Sequence, residues 1–154
     1  MKIIQKLVIS TFLVISISTL MINDIEAQSF DYEIIGYGID GKREENIEII
    51  DNKNDFEKKW KRKISPDKLT TPIDFNKECI IAISRGQCGS GGHGIRIKDV
   101  YEESGYLIIE IVYTDPGENC RVTQALTYPY LVMRLKNRGL DIILAVVYNS
   151  VLIL

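Results

Sequence analysis

The sequence predicts a mainly β protein, α+β by content, in which an antiparallel, sandwich-like sheet domain carries one α-helix on its N-terminal side. Three observations predict it. Short runs rich in β-branched and aromatic residues recur through the second half of the chain, with turn residues between them. Beyond the N-terminal region, only one stretch has its apolar residues at helical spacing. The chain has 154 residues, 45% of them hydrophobic, which suits one domain with a buried core.

The elements follow in order. Lys2 and Lys6 precede an uncharged apolar stretch, Leu7 to Ile22, and then Ile25 and Ala27. Positive charge, apolar run and small-residue site make a secretory signal over residues 1–27, cleaved after Ala27. A membrane-spanning helix is the competing reading. The run is short for a hydrocarbon layer of about 30 Å, and Asp24 and Glu26 follow it at once. No cysteine near the cleavage point offers a lipid anchor. The expectation is therefore a single exported domain, residues 28–154, periplasmic or secreted, with no stable membrane span after cleavage.

Phe30–Ile39 reads as a strand, "DGKREEN" as turn material, and "IEII" (47–50) as a second short strand. In "DNKNDFEKKWKRKISP", Asn54 and Glu57 have capping-box spacing and Ser65-Pro66 ends the helix. Phe56, Trp60 and Ile64 lie on one side, so the basic run Lys58–Lys63 is its solvated face. A polar connection containing Pro72 leads to "CIIAISR" (Cys79–Arg85), whose nearly continuous apolar run fits a strand covered on both faces. "HGIRIKDVYEE" alternates through Ile95, Ile97 and Val100. "GYLIIEIVYTD" is a further strand closed by Pro116-Gly117. "CRVTQALTYPYLVMRL" and "GLDIILAVVY" complete the set, and the apolar tail "SVLIL" reads as a last docked strand. Short strands at this spacing imply antiparallel neighbours. Pro129 cannot donate to a central ladder, so "TYPY" marks a bulge, an edge or a break.

Net charge is −2 with both signs interspersed. Without a basic stripe, nucleic-acid binding has no electrostatic footprint. If the runs from Cys79 to Leu135 form an up-and-down meander, the loops holding Cys88 and Cys120 lie at one end of the sheet and Cys79 at the other. Export then predicts a Cys88–Cys120 disulfide, contributing about 3–4 kcal/mol by the chain-entropy model, and a buried Cys79 thiol.

"RGQCGSGGHGI" (Arg85–Ile95) is the stretch least like scaffolding: five glycines surround one cysteine and the chain's single histidine. It runs into a strand and lacks Gly-Lys-Ser/Thr, so it is not a phosphate cradle. A zinc site would need a fourth ligand beside Cys88, His93 and Cys120. A Cys88/His93 dyad lacks an orienting third group. Serine hydrolase chemistry lacks G-x-S-x-G. No cofactor and no metal is expected. What is left is a tight loop held on a rigid sheet, suited to binding or serving only as a connection. The candidate interaction residues are Gly89, Ser90, Gly91, Gly92 and His93, with Tyr128 and Tyr130 as neighbours.

"TPIDFNKECIIAISRG", the glycine turn, the Pro116 turn and above all "TQALTYPY" (Thr123–Tyr130) resemble the C-terminal domain of the protease complex subunit PrcB family. Pro72, Asp74, Phe75, Gly86, Gly91, Gly92 and Pro116 carry the rest of the match, and the Trp60 helix is similar to one that precedes that domain. Where that family has Thr-Gly-Gly-Tyr, this chain has Ser90-Gly91-Gly92-His93. The resemblance implies a non-catalytic, protein-interacting accessory or stabilising subunit of an exported protease. "GSGGH" is also similar to the loops of chagasin-like protease inhibitors, which makes inhibition the alternative. A small metal-dependent or thiol enzyme is the last.

Overall fold

The computed structural model describes residues 30–136 and 139–149. The signal segment expected over residues 1–27 and the tail from Ser150 lie outside the described residues. Two sheets form the body. The first has the order β1 (Tyr32–Gly38), β6 (Tyr130–Lys136), β3 (Glu78–Ser84), β2 (Asn46–Ile50), with every neighbour antiparallel. The second has the order β4 (Gly94–Glu103), β5 (Tyr106–Thr114), β7 (Asp141–Asn149). Among the described residues one α-helix, α1 (Lys53–Lys59), lies on the first sheet. The fold is thus the β-rich α+β class that the periodicity predicts.

Two apolar layers hold it. Between the sheets, Ile81, Ile83, Leu131 and Met133 meet Ile97, Val100, Ile109, Ile111 and Tyr113. On the outer face of the first sheet, Ile35, Ile80, Ala82 and Val132 meet Phe56, Trp60 and Ile64. The strand β3 is therefore buried on both faces, which is why its sequence is a continuous apolar run rather than an alternating one. In β4 the alternation slips from Ile97 to Val100 because a bulge lies between Ile97 and Asp99. In β1 the ordinary alternation turns Ile34 towards one layer and Ile35 towards the other, and a second bulge lies between Ile34 and Gly36.

Three expectations are corrected. The runs from Cys79 to Leu135 do not form one meander: β3 pairs with β2 and β6, whereas β4 and β5 are a hairpin of the second sheet. Not all neighbours are antiparallel: β7 runs parallel to β5, with Tyr106 opposite Asp141 and Thr114 opposite Asn149. The chain reaches β7 by crossing from one sheet to the other, so no hairpin constrains its direction. The helix also starts earlier than the Asn54–Glu57 spacing implies. Asn52 is the N-cap, its Oδ1 accepting the Asp55 N–H at 2.9 Å. The helix gives way after Lys59 to a 3₁₀ turn at Lys61–Lys63, and Ile64 is extended, yet Phe56, Trp60 and Ile64 still share one buried layer.

Candidate functional site

The glycine-rich segment leaves the first sheet at the end of β3 and enters the second at the start of β4, so it bridges the sheets at one end. Its path is fixed by backbone hydrogen bonds. Arg85 N–H donates to Pro129 O at 2.9 Å and Gln87 N–H to Arg43 O at 2.9 Å. Gly86 has φ +89°, which brings the chain against the Glu44–Glu45 backbone where a Cβ would stand 2.9 Å from Glu45 N. Cys88 and Thr127 exchange both backbone bonds, at 2.8 and 3.0 Å, and Gly91 N–H donates to Thr123 O at 2.9 Å. The buried Thr127 hydroxyl donates to Ser90 O at 2.7 Å.

The string Thr123–Tyr130 is thereby explained residue by residue. Thr123 holds Gly91, and Thr127 holds Cys88 and Ser90. Tyr128 N–H donates to Ile39 O at 2.8 Å, and Pro129 offers the carbonyl that takes Arg85 N–H. The peptide bonds of the described residues are all trans, and Pro129 stands between an isolated bridge and β6, the break in pairing its missing N–H requires. Tyr130, expected beside the interaction loop, is only 6% exposed. Its ring lies 6.0 Å from that of Trp60 and its hydroxyl donates to Lys63 O at 3.0 Å, so its side chain serves the helix-side core.

Inside this scaffold lies a polar chain. Ser90 Oγ is 3.2 Å from His93 Nε2, and His93 Nδ1 is 2.7 Å from Asp115 Oδ1. Arg85 reaches the same carboxylate oxygen at 2.5 Å, donates to Thr114 O at 2.7 Å and stands 5.3 Å over the Tyr113 ring. The hairpin register explains the meeting: Gly94 pairs with Thr114, and one residue further His93 faces Asp115. Burial works to raise the Asp115 pKa, but hydrogen bonds and charge from Arg85 and His93 outweigh it and hold the carboxyl below its ordinary value. An ionised Asp115 accepts the hydrogen bond of Nδ1–H, and in the neutral ring Nε2 is then the acceptor turned to Ser90. Neither Arg85 nor Asp115 stood out in the sequence. Asp115 read as the opening of a Pro-Gly turn, and only the strand register could have linked it to the lone histidine.

Beside the loop, β1 and β4 are each the terminal strand of their sheets. They are joined at one end, where Phe30 N–H donates to Val100 O at 3.1 Å. Beyond that an apolar groove of about 510 Å³ separates them, lined by Tyr32, Ile34, Tyr37, Ile39, Ile95 and Ile97 and ending at His93.

The Cys88–Cys120 disulfide is not formed: the three cysteines are free, Cys79 and Cys88 buried and Cys120 exposed. The prediction rested on the meander. Once β4 belongs to the other sheet, Cys88 is drawn inward by its bridge to Thr127, while Cys120 closes an outward turn, its N–H on Gly117 O at 2.9 Å. Among the described residues no group of three or more His, Cys, Asp or Glu side chains could hold a metal ion, and no helix is long and apolar enough to cross a membrane.

Two sheets, a helix on one of them and a backbone-zipped loop at their common end define a β-rich domain that presents its site from a rigid framework. Residues 79–136, the segment from β3 to β6, match the PrcB C-terminal family model. The match begins after Pro72, Asp74 and Phe75, and β1, β2, α1 and β7 lie outside it. No curated protein and no solved structure matches the chain.

Proposed function

We propose that the chain is an exported accessory domain of a protease complex, and that it binds an extended segment of a protein partner in the groove between β1 and β4. The family match supports association with a protease complex, and Lys2, Lys6 and the run Leu7–Ile22 support export. The observation that carries the binding surface is the concentration of exposed apolar side chains there: Tyr37 is 76% exposed, Ile39 61% and Tyr32 39%. Terminal strands leave backbone donors and acceptors along their outer edges, and an extended peptide satisfies them while its apolar side chains fill the groove. The zipped loop Gly89–His93 would close one end of the groove and fix the peptide's register.

The test is a photo-crosslinking residue placed at Tyr37 or Ile39 in cells that make the exported chain. Crosslinks to an exported protease subunit, reduced by Tyr37→Glu in the same background, are expected. Crosslinking that is diffuse, or unchanged by Tyr37→Glu, overturns the assignment of the groove. Loss of proteolytic activity when the purified chain is added would make the interaction inhibitory instead of stabilising.

A further inference from the structure

The chain Ser90–His93–Asp115 has no task in a purely adhesive loop. We propose that Ser90 is a nucleophile, with His93 as its general base and Asp115 orienting the ring, and that the site takes small carboxylic esters with good leaving groups. This departs from the non-catalytic role expected from the sequence and stands independently of any protein partner.

The geometry carries it. A serine hydroxyl 3.2 Å from Nε2 and a carboxylate 2.7 Å from Nδ1 of the same imidazole is the nucleophile, base and orienting-group arrangement of acyl transfer. The roles are recognised by geometry and do not depend on G-x-S-x-G. Each member is fixed from behind. Thr127 holds the Ser90 carbonyl, Thr123 holds Gly91 N–H, and Arg85 holds Asp115 while itself anchored on Thr114 O. Ser90 and His93 are both half-buried rather than enclosed, and His93 borders the groove where an apolar acyl group can lie. The Ser90 hydroxyl also lies 3.2 Å from Gly91 O, so its proton has a resting acceptor until a substrate arrives.

In the first step Ser90 Oγ bonds to the ester carbonyl carbon and the hydroxyl proton passes to His93 Nε2. The C–O bond to the alcohol then breaks, and the alcohol leaves with that proton. Water next gives a proton to Nε2 and its oxygen to the acyl carbon. The carboxylic acid departs and the proton returns to Ser90 Oγ. Gly91 N–H is already committed to Thr123 O. The developing oxyanion thus lacks one nearby backbone donor, which limits the site to activated esters and excludes peptides.

The full exported chain would be treated with a fluorophosphonate probe and, separately, with p-nitrophenyl acetate. With the probe, an O–P bond forms at Ser90, fluoride leaves, and the serine proton goes to His93. The expected result is a phosphonyl adduct mapped to Ser90, absent in Ser90→Ala, forming about 100-fold more slowly in His93→Gln, the scale a general base supplies. Wild-type hydrolysis of p-nitrophenyl acetate should also stop once Ser90 carries the phosphonyl group. This second readout does not depend on the variants keeping their fold, which their melting curves check. No adduct at Ser90, an equal rate in a folded His93→Gln variant, or unchanged ester hydrolysis by fully labelled protein overturns the proposal.

Discussion

The Thr127 hydroxyl donates a 2.7 Å hydrogen bond to the carbonyl of Ser90, thirty-seven residues away in the chain. With the two backbone bonds between Thr127 and Cys88, it joins the return strand to the glycine loop. Thr127 is only 3% exposed, so Thr127→Val keeps the shape of the side chain and leaves a loop carbonyl without its donor. The expected loss is about 1–2 kcal/mol in denaturant unfolding, with an unchanged m-value. A variant as stable as the parent would mean that water takes over the Ser90 carbonyl and that the loop is not held from this side.

The glycines of the loop should not respond alike. Gly92 has φ +83°, and a Cβ there would stand 2.9 Å from both Pro116 Cβ and Val122 Cγ1. Gly91→Ala would press on Thr123 Oγ1, whereas a Cβ on Gly89 meets nothing within 4 Å. Gly92→Ala should therefore cost about 1–3 kcal/mol, for the left-handed backbone and the clash together. Gly89→Ala should fall within about 0.5 kcal/mol of the parent. The ranking by thermal melting, with Gly92 most sensitive, checks the packing of the 89–93 segment beneath the Pro116 turn.

Glu78 and Arg134 pair across β3 and β6 by two hydrogen bonds, at 3.0 and 2.7 Å, with both side chains largely buried. The Arg134 bond, with a backbone N–H from Asp74, holds the Glu78 carboxyl below its ordinary value against the opposing effect of burial. Its folded-state pKa is lower than its unfolded one. The stability it contributes is thus present above the unfolded value, about 4.5, and is lost as pH falls through the folded one. Glu78→Gln should be less stable than the parent by about 1–2 kcal/mol at neutral pH. That difference should narrow as pH falls below the unfolded value and close once the folded carboxyl is protonated. A gap that stays constant down to pH 3 would assign the effect to packing rather than charge.

The elements were legible because each is written in local chemistry: β-branched runs for the strands, the Phe56/Trp60 spacing for the helix, the apolar stretch in β3 for burial on both faces. How the strands sort between sheets was not. The run after Cys79 and the run after His93 look like neighbours in a meander. Only the burial of β3 against both α1 and the second sheet places them apart. The site suffered the same loss. Ser90 and His93 could be named as loop residues, but Asp115 and Arg85 join them through the β4–β5 register and the turn out of β3, which no spacing displays. The "TQALTYPY" string stood out strongly, and its work is internal: backbone groups of Thr123, Thr127, Tyr128 and Pro129 hold the neighbouring segments in place.

The cysteines offer the most direct test of that sorting. Cys79, at the start of β3, is buried, and burial, with the nearby Asp51 charge, pushes its thiol up to about 11. Burial also raises the Cys88 thiol, with Asp115 adding to the rise and Arg85 opposing it. Cys120 is exposed in its turn. A thiolate reacts and a buried thiol does not. Brief alkylation of the folded protein should therefore modify Cys120 alone, with Cys79 and Cys88 reacting only after denaturation. Peptide mapping by mass spectrometry reads this directly. A Cys88–Cys120 linked peptide from protein purified without added oxidant would require Cys88 to leave its bridge to Thr127, and the zipped arrangement of the loop would then be wrong. Modification confined to Cys120 would instead confirm that backbone hydrogen bonds, rather than a covalent staple, hold the loop.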